Sequence, residues 1–326
     1  MVQKKIGTHN GHFHADEVLA CVLLRQLPEY KDAEIVRSRN PADLEPCDIV
    51  VDVGAVFDPE RQRFDHHQRE FTETMKSLKI LDYETKLSSA GLVYAYYGKA
   101  VISAITGIPK ESQDMAVLYE KMYAKFVEEY DGIDNGVNQF DGEPRYHITS
   151  TVSARVGRCN PRWNEDQSPA AERAGFEKAM QIVEGELRDA LDGYVKSWMP
   201  ARAIVKEAIE ERKKHDPEGR LLKFPKGGLP WKSHLFEMEK EMKIEGQILY
   251  VVYQSKPEDW RIQCVSESEG SFKNRKTLPE AWLGVRDQAL NELTGLSDCT
   301  FVHANGFIGG AKSEASVMKM AEMALQ

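Results

Sequence analysis

Two short segments near the start of the chain carry the side chains best suited to binding metal ions. One is THNGHFHADE at residues 8–17, and the other is the tripeptide at residues 65–67. Their histidines and aspartates are His9, His12, His14, Asp16, Asp65, His66 and His67. Neutral imidazole and carboxylate together suit Mn²⁺, Fe²⁺ or Zn²⁺, so the two clusters predict more than one bound ion. The alternative is two polar turns whose histidines lie at the surface or are hydrogen-bonded in the core.

Asp52 is the carboxylate expected to connect the two clusters. A carboxylate has two oxygens, whereas a neutral imidazole has one free lone pair, so Asp52 is suited to bridge two ions. Neighbouring residues of an extended segment point to opposite faces. Asp65 and His67 are therefore expected on one side and His66 on the other, with one histidine as a ligand and the other behind it.

The residues around these clusters predict alternating strands and helices. Strands are expected at residues 4–8, 33–37 and 48–53, with a helix at 16–27, which is the βαβ rhythm of a helix-covered parallel sheet. Asp52 falls near the carboxyl end of one strand, and the histidine-rich turn follows another. The carboxyl ends of parallel strands border the crevice where open α/β sheets bind ligands.

The rest of the chain predicts a helical region followed by a smaller mixed domain. Helices are expected at 90–100, 110–130, 169–194 and 200–215, with a polar loop from Asp131. Later strands are expected at 220–224, 248–254, 260–266 and 300–303, with helices near 287–293 and from 313. The predicted class is α/β, with an N-terminal parallel-sheet domain at 1–195, a connecting helix at 196–219, and a C-terminal α+β domain at 220–326.

Composition restricts the environment and the partners. The chain has 52 acidic residues against 43 Lys and Arg, which argues against coating nucleic acid through bulk charge, so local patches must meet an anionic substrate. Five widely spaced cysteines without a CxxC pair favour a reducing compartment. The first residues show neither a secretion signal nor a transit leader, so cytoplasm or nucleus is expected. The apolar runs are much shorter than the roughly 20 residues of a membrane-spanning helix, so no membrane partner is expected.

Three further segments are candidates for contact with a phosphate or a base. Arg155, Arg158 and Arg162 form one basic group, and Lys273, Arg275 and Lys276 form another. Arginine suits phosphate oxygens, although such runs are also typical of a solvated face. Trp163 and Trp282 could stack on bases or belong to the core. The glycine-rich GFIGG at residues 306–310 is predicted to be a loop before the last helix. Its backbone N–H groups could bind a phosphate, or the glycines could only make a close turn.

These motifs resemble a known enzyme family. The order His, Asp, Asp-His-His, Asp resembles the DHH phosphoesterase superfamily. The runs THNGHFHADEVLA, VVDVG, FDHHQREF, IDNG, RVGRCNPRWN and HANGFIGGAKSEA are similar to the eukaryotic Myg (melanocyte-proliferating-gene) proteins, metal-dependent nucleases related to that superfamily. The resemblance covers most of the chain.

The resemblance implies two Mn²⁺ or Mg²⁺ ions between a DHH-type domain and a C-terminal substrate-binding domain. It implies metal ligands at His14 and Asp16 with His9 or His12, a bridging Asp52, and His66 or His67. The last motif falls at Asp131 or Asp134, and Asp-Gly and Asp-Asn-Gly are also ordinary turn formers. The first motif departs from the usual order, because matching Asp16 to its second aspartate places His14 where the first is expected. Which histidine completes the site therefore stays open.

The expected activity is metal-dependent hydrolysis of phosphodiester bonds, as an exonuclease acting on RNA or short oligonucleotides by a two-metal mechanism. The residues expected at the reaction are Asp65, His66 and His67. The residues expected to bind substrate are Arg155, Arg158, Arg275, His303, Gly309 and Gly310, of which the resemblance assigns His303 and the two glycines. Two alternatives remain: hydrolysis of a small phosphate ester such as pyrophosphate or a cyclic dinucleotide, and a noncatalytic metal-stabilised binding protein.

Overall fold

A computed structural model describes residues 3–326, which fold into two compact units. The first extends to Tyr194 and the second runs from Val195 to Gln326. Each unit contains one five-stranded sheet with helices packed against it. The predicted α/β class is confirmed. Within the described residues, no helix is both long and apolar enough to cross a membrane.

The sheet of the first unit is mainly parallel. Its strands are β1 Lys5–Thr8, β2 Glu34–Arg37, β3 Ile49–Val51, β4 Phe57–Asp58 and β5 Arg63–Phe64. Their order is β2-β1-β3-β5-β4, and only the last pair is antiparallel. The central strand β3 reads Ile-Val-Val and is completely buried, as expected for β-branched residues in a sheet covered on both faces.

Seven helices complete the first unit. They are α1 Ala15–Arg25, α2 Pro41–Leu44, α3 Ser89–Thr106, α4 Gln113–Met122, α5 Glu128–Asp134, α6 Val152–Gly157 and α7 Pro169–Gly193. The single helix predicted at 110–130 is instead α4, a π-helical turn at Tyr123–Val127, and α5. Asp131 therefore lies inside a helix rather than in the predicted polar loop. Apolar spacing could not show this, because the π turn inserts a residue without ending the buried face.

The second unit has a mixed sheet. Its strands are β6 Leu221–Phe224, β7 Tyr250–Lys256, β8 Asp259–Cys264, β9 Cys299–Val302 and β10 Ile308–Ala311, in the order β6-β7-β8-β10-β9. Only the β6–β7 pair is parallel. Its helices are α8 Met199–Glu211, α9 Trp231–Met242, α10 Asp287–Thr294 and α11 Glu314–Leu325. The stretch assigned to a connecting helix contains α8, whose Val205 and Ile209 lie in a core shared with Leu222 and Leu235.

The prediction of a glycine-rich loop before the last helix is wrong. Gly309 and Gly310 lie in β10, paired with β8 on one side and β9 on the other. A Cβ atom on Gly310 would lie 2.6 Å from the backbone oxygen of Trp260. Glycine is required there because the neighbouring backbone is too close for a side chain.

Candidate metal centre

Three neighbouring parallel strands end at the same place, and each is followed by a residue of the predicted site. His9 follows β1, Asp52 follows β3, and the Asp65-His66-His67 segment follows β5. These strands are adjacent in the order β1-β3-β5. The carboxyl ends of adjacent parallel strands meet at one edge, so residues far apart in sequence come together there.

Asp52 lies between two histidines. Its Oδ2 is 3.3 Å from His9 Nε2, and its Oδ1 is 3.3 Å from His66 Nε2. The side chain is buried, and the backbone has a φ of 57°, a left-handed conformation that is uncommon for residues other than glycine. This turn directs the two carboxylate oxygens towards different partners. Strained backbone of this kind is concentrated at functional sites.

Helix α1 supplies two further buried carboxylates, Asp16 and Glu17. Ser89 Oγ donates to Asp16 Oδ2 at 2.7 Å, which holds that side chain in position. Glu17 Oε1 lies 2.9 Å from His9 Nε2, and the carboxylate also accepts a hydrogen bond from the backbone N–H of His14. Glu17 was missed at the sequence level, although its position directly after Asp16 in the first helical turn was a usable signal.

Helix α5 places Asp134, rather than Asp131, beside the cluster. Asp134 Oδ2 is 3.2 Å from His66 Nε2. Asp131 is fully buried and accepts hydrogen bonds from the Ser88 backbone N–H and hydroxyl, the Gly91 N–H and the Tyr123 hydroxyl. Those bonds give Asp131 a structural position next to the site.

Asp65 organises the turn that carries the two histidines. Its Oδ1 accepts from the backbone N–H of His66 at 2.8 Å and of His67 at 3.2 Å, and lies 2.8 Å from His67 Nδ1. Its Oδ2 accepts from the N–H of Ala55. Although burial acts in the opposite direction, these contacts lower the pKa of Asp65, and the contact with Asp65 raises the pKa of His67.

The possible ligand atoms fall into four groups of three residues, with all three atoms of each group within 4.8 Å of one another. The groups are His9, His14 and Glu17; Asp52, His66 and His67; His14, Asp16 and Asp134; and Asp16, Glu17 and Asp52. His12 belongs to none of these groups within the part of the chain that the structure describes. The geometry therefore brings His9 rather than His12 to the candidate centre.

The charges of the cluster are suited to a cation. Burial and the neighbouring charges of Asp52, Glu17 and Asp134 raise the pKa of Asp16 well above its usual value. Burial opposes ionisation of Asp52, but the close contacts with His66 and His9 outweigh it and hold the Asp52 pKa at about 2. Burial also opposes a charge on His9, yet its contacts with Asp52 and Glu17 raise its pKa to about 10. Several buried carboxylates within a few ångströms repel one another unless positive charge lies among them.

The available lone pairs fit a divalent ion. Among residues 3–326, the buried atoms without a hydrogen-bond partner include Asp16 Oδ1, Asp52 Oδ1 and His66 Nε2. The contacts of His66 Nε2 with Asp52 at 3.3 Å and with Asp134 at 3.2 Å lack hydrogen-bond geometry. Buried polar atoms normally have partners, so these atoms are candidates for metal coordination. The mixture of imidazole and carboxylate is typical of Mn²⁺, Fe²⁺ or Zn²⁺ sites.

A cavity of about 890 Å³ opens beside this cluster. His14, Asp16, His66 and Asp134 line it on the side of the candidate metal centre. Other parts of its wall come from Arg69, Lys86, Tyr130, Ser153, Ala154 and Gly157. A cavity of this size, with converging carboxylates, imidazoles and cations, can accommodate an anionic ligand.

Several predicted substrate-binding residues have partners within the protein. Arg155 pairs with Glu186, and Arg158 donates to the backbone oxygen of Thr149. Arg275 makes a nearly buried two-point ion pair with Glu239, with both N···O distances 2.7 Å. That pair gives Arg275 a structural role within the second unit.

His303 is exposed and accepts a hydrogen bond from the backbone N–H of Asn305 through Nδ1. Its ring centroid lies 4.7 Å from that of Phe307. His303 follows the end of β9, and Gly309 and Gly310 lie in the neighbouring strand β10. The three residues that the resemblance assigns to substrate are thus close together in the second unit.

The fold and the site define a two-unit α/β protein with a buried histidine and carboxylate centre that could bind metal ions. The MYG1_exonuc family model, described as an uncharacterised protein family (UPF0160), matches residues 5–325. The chain belongs to this family, which confirms the resemblance to the Myg proteins.

The relatives extend over nearly the whole chain. It is 50% identical to the MYG1 exonuclease of Homo sapiens over 327 aligned positions, covering all of this chain and 86% of that protein. It is 49% identical to the MYG1 exonuclease of Bos taurus, covering 85% of that protein. It is also 43% identical to the MYG1 protein YER156C of Saccharomyces cerevisiae, with 99% and 96% of the two chains covered.

Proposed function

We propose that this protein is a DHH-type, metal-dependent phosphodiesterase that acts as an exonuclease on RNA or short oligonucleotides. The observation that carries the proposal is the position of Asp52, whose two oxygens face His9 and His66 separately. This is the arrangement expected of a carboxylate that bridges two ions. The relatives named MYG1 exonuclease support the choice of a nuclease.

The ligands proposed for two ions are the residues that surround Asp52. They are His9, His14, Asp16, Glu17, Asp52, His66 and Asp134. Mn²⁺ is favoured over Mg²⁺, because Mg²⁺ prefers an oxygen-rich octahedral shell and several of these ligands are imidazoles. When bound, such ions polarise the phosphoryl group and lower the pKa of water.

The protein residues position the substrate and move the proton. Arg69 and Lys86 line the cavity and are suited to neutralise the phosphate oxygens. His67 is the candidate to protonate the leaving oxygen, because its contact with Asp65 favours the charged ring and the ring lines the cavity. Asp65 acts through His67 by fixing the orientation of that ring.

The test compares hydrolysis of a labelled RNA by the purified protein in the presence of Mn²⁺ and in the presence of a chelator. We expect shortening of the RNA from one end only with the metal, and loss of that activity in the Asp65→Ala and His66→Ala variants. If a folded protein carrying both Asp65→Ala and His66→Ala degrades the RNA at the wild-type rate, the assignment of the site is wrong.

A second candidate function is hydrolysis of a small phosphate ester. The cavity volume of about 890 Å³ lies within the range of sites for small ligands, roughly 300–1,000 Å³. Pyrophosphate and a cyclic dinucleotide, assayed beside an RNA oligonucleotide, separate the two functions. Metal-dependent stabilisation without turnover of any of these substrates would favour a noncatalytic binding protein.

A further inference from the structure

An exposed stretch of chain connects two walls of the metal cavity. Helix α5 ends at Asp134 and α6 begins at Val152, and residues at both ends line the cavity. Between them, all residues from Gly136 to Ser150 except Pro144 are exposed. The stretch nevertheless carries large apolar side chains, including Phe140 and Tyr146, the latter 75% exposed. Several exposed apolar side chains on one segment whose two ends line a cavity indicate a binding surface rather than scattered exposure.

Trp163 is 92% exposed and follows Asn160, a residue bonded to the histidine-rich turn, by three positions. Three residues earlier, Asn160 accepts a hydrogen bond from the backbone N–H of Phe13 at 3.0 Å and donates to its carbonyl at 2.9 Å. Phe13 separates His12 from His14. Three steps of about 3.8 Å place the Trp163 Cα no more than about 11 Å from that of Asn160. Trp163 is therefore within that distance of a residue bonded to Phe13, which lines the cavity.

The chain between Gly136 and Trp163 is locally basic. It contains four arginines and two acids, Asp141 and Glu143, a net charge of +2 in a protein whose total is −9. Arg155 pairs with Glu186 and Arg162 lies near Glu165, so Arg145 and Arg158 are the arginines without an acidic partner within the described residues. Two of the arginines directly precede aromatic residues, as Arg145-Tyr146 and Arg162-Trp163. Arginines bind phosphate oxygens and aromatic rings stack on unpaired bases, so the pattern fits both parts of a nucleotide.

We propose that Tyr146 and Trp163, with Arg145 and Arg158, bind the bases and phosphates of a single-stranded oligonucleotide that continues beyond the metal cavity. The inference rests on the proposed nuclease function and makes it more specific, because it selects a polymer over a small phosphate ester. The arginines without an acidic partner, Arg145 and Arg158, favour an anionic strand as the ligand. Base pairing would keep the bases from these rings, so a duplex is a poor ligand.

The first test measures binding without turnover. A fluorescent single-stranded RNA of eight nucleotides is titrated with protein in chelator, and anisotropy gives the Kd. Loss of one stacked base weakens binding by roughly 5-fold to 150-fold. We expect a Kd increase of about 10-fold or more in both Tyr146→Ala and Trp163→Ala. The matched control is Phe272→Ala, which removes a fully exposed aromatic side chain from the second unit.

A second readout is tryptophan fluorescence, since Trp163 is the most exposed of the five tryptophans. The RNA is expected to quench the emission of the wild type, and the quenching is expected to be lost in Trp163→Leu. Hydrolysis of bis(p-nitrophenyl) phosphate with Mn²⁺ is measured in the same variants, and a loss of RNA binding that exceeds any loss of this activity supports contact with the extended strand. Thermal unfolding confirms that the variants are folded.

The inference is overturned if the Tyr146 and Trp163 variants bind the RNA as tightly as the wild type, or if a duplex binds equally well. It is also overturned if these variants change only the sedimentation of the protein, because the surface would then be an interface between copies. RNA binding without hydrolysis of any phosphodiester would instead sustain the inference and refute the proposed catalysis. Hydrolysis of the small substrate without RNA binding would do the reverse.

Discussion

Replacing Asp52 with asparagine tests the bridging role directly. Asparagine has the same shape and tolerates the left-handed φ of 57° at this position, so the backbone is preserved. It keeps one carbonyl oxygen but loses the negative charge and the second oxygen. The variant therefore removes the ability of residue 52 to contact two ions while keeping the shape of the turn.

The expected loss of stability follows from the buried contacts of Asp52 with His9 and His66. Asp52 has a pKa of about 2, against an ordinary value of 3.8. Its folded pKa is depressed, so its contribution to stability is present above about pH 4 and is lost as the pH falls towards 2. A shift of nearly two units corresponds to about 2 kcal/mol, which Asp52→Asn is expected to remove at pH 7 without metal.

The effect on metal and on catalysis is expected to be larger. Changes in residues that merely support metal ligands cost roughly 10-fold to 100-fold in affinity or activity, so loss of a bridging carboxylate is expected to cost at least about 100-fold. The assays are thermal unfolding against Mn²⁺ concentration, metal analysis of the dialysed protein, and the initial rate of RNA cleavage. Mn²⁺ should raise the Tm of the wild type, and much less that of the variant.

The control for this experiment is Asp131→Asn, because Asp131 is equally buried but bonded to Ser88, Gly91 and Tyr123. It should leave the Mn²⁺ dependence of the Tm unchanged. If Asp52→Asn retains two Mn²⁺ ions per chain and cleaves RNA at the wild-type rate, Asp52 does not bridge ions and the reasoning is refuted.

Three further outcomes are expected. Glu17→Gln should weaken Mn²⁺ binding by about 10-fold or more, and unchanged calorimetric affinity would show that it only caps α1. Burial raises the pKa of Asp131 to about 7, although its hydrogen bonds act in the opposite direction. The stability that Asp131 contributes should therefore be complete below about pH 4 and decline as the pH rises towards 7. Asp131→Asn should flatten this decline in denaturant midpoints between about pH 4 and pH 7, and an unchanged slope would contradict the raised pKa. Gly310→Ala should destabilise the protein by about 2 kcal/mol, since the new Cβ would contact the Trp260 carbonyl. Gly270→Ala, in open space, is its control, and equal Tm values for the two would contradict the packing argument.

The residue types that make the candidate metal centre chemically plausible are visible in the sequence. The residue types at His9, Asp16, Asp52 and His66 indicate metal binding wherever they meet, and the βαβ periodicity predicts that they meet at strand ends. Periodicity of apolar residues also located most strands and helices within a few positions. These features are local, so the order of residues alone carries them.

Other assignments depended on distances that sequence spacing does not contain. Asp131 and Asp134 lie three residues apart on one helix, and only the rotation of α5 against α1 and α3 directs Asp134 to His66 and Asp131 into the packed interior. Glu17 was overlooked because a capping residue and a metal ligand look alike in a sequence.

The glycines of β10 show the same division between local pattern and tertiary contact. Gly309 and Gly310 were expected in a loop, because glycines between a strand and a helix commonly form one. The structure places them in a strand whose neighbours leave no room for a side chain. The sequence by itself thus determined which side chains can hold a metal ion and which elements bring them near one another. Only the tertiary structure shows that His9 rather than His12, and Asp134 rather than Asp131, lies in the candidate centre, because a sequence does not contain the ångström distances between side chains on different elements.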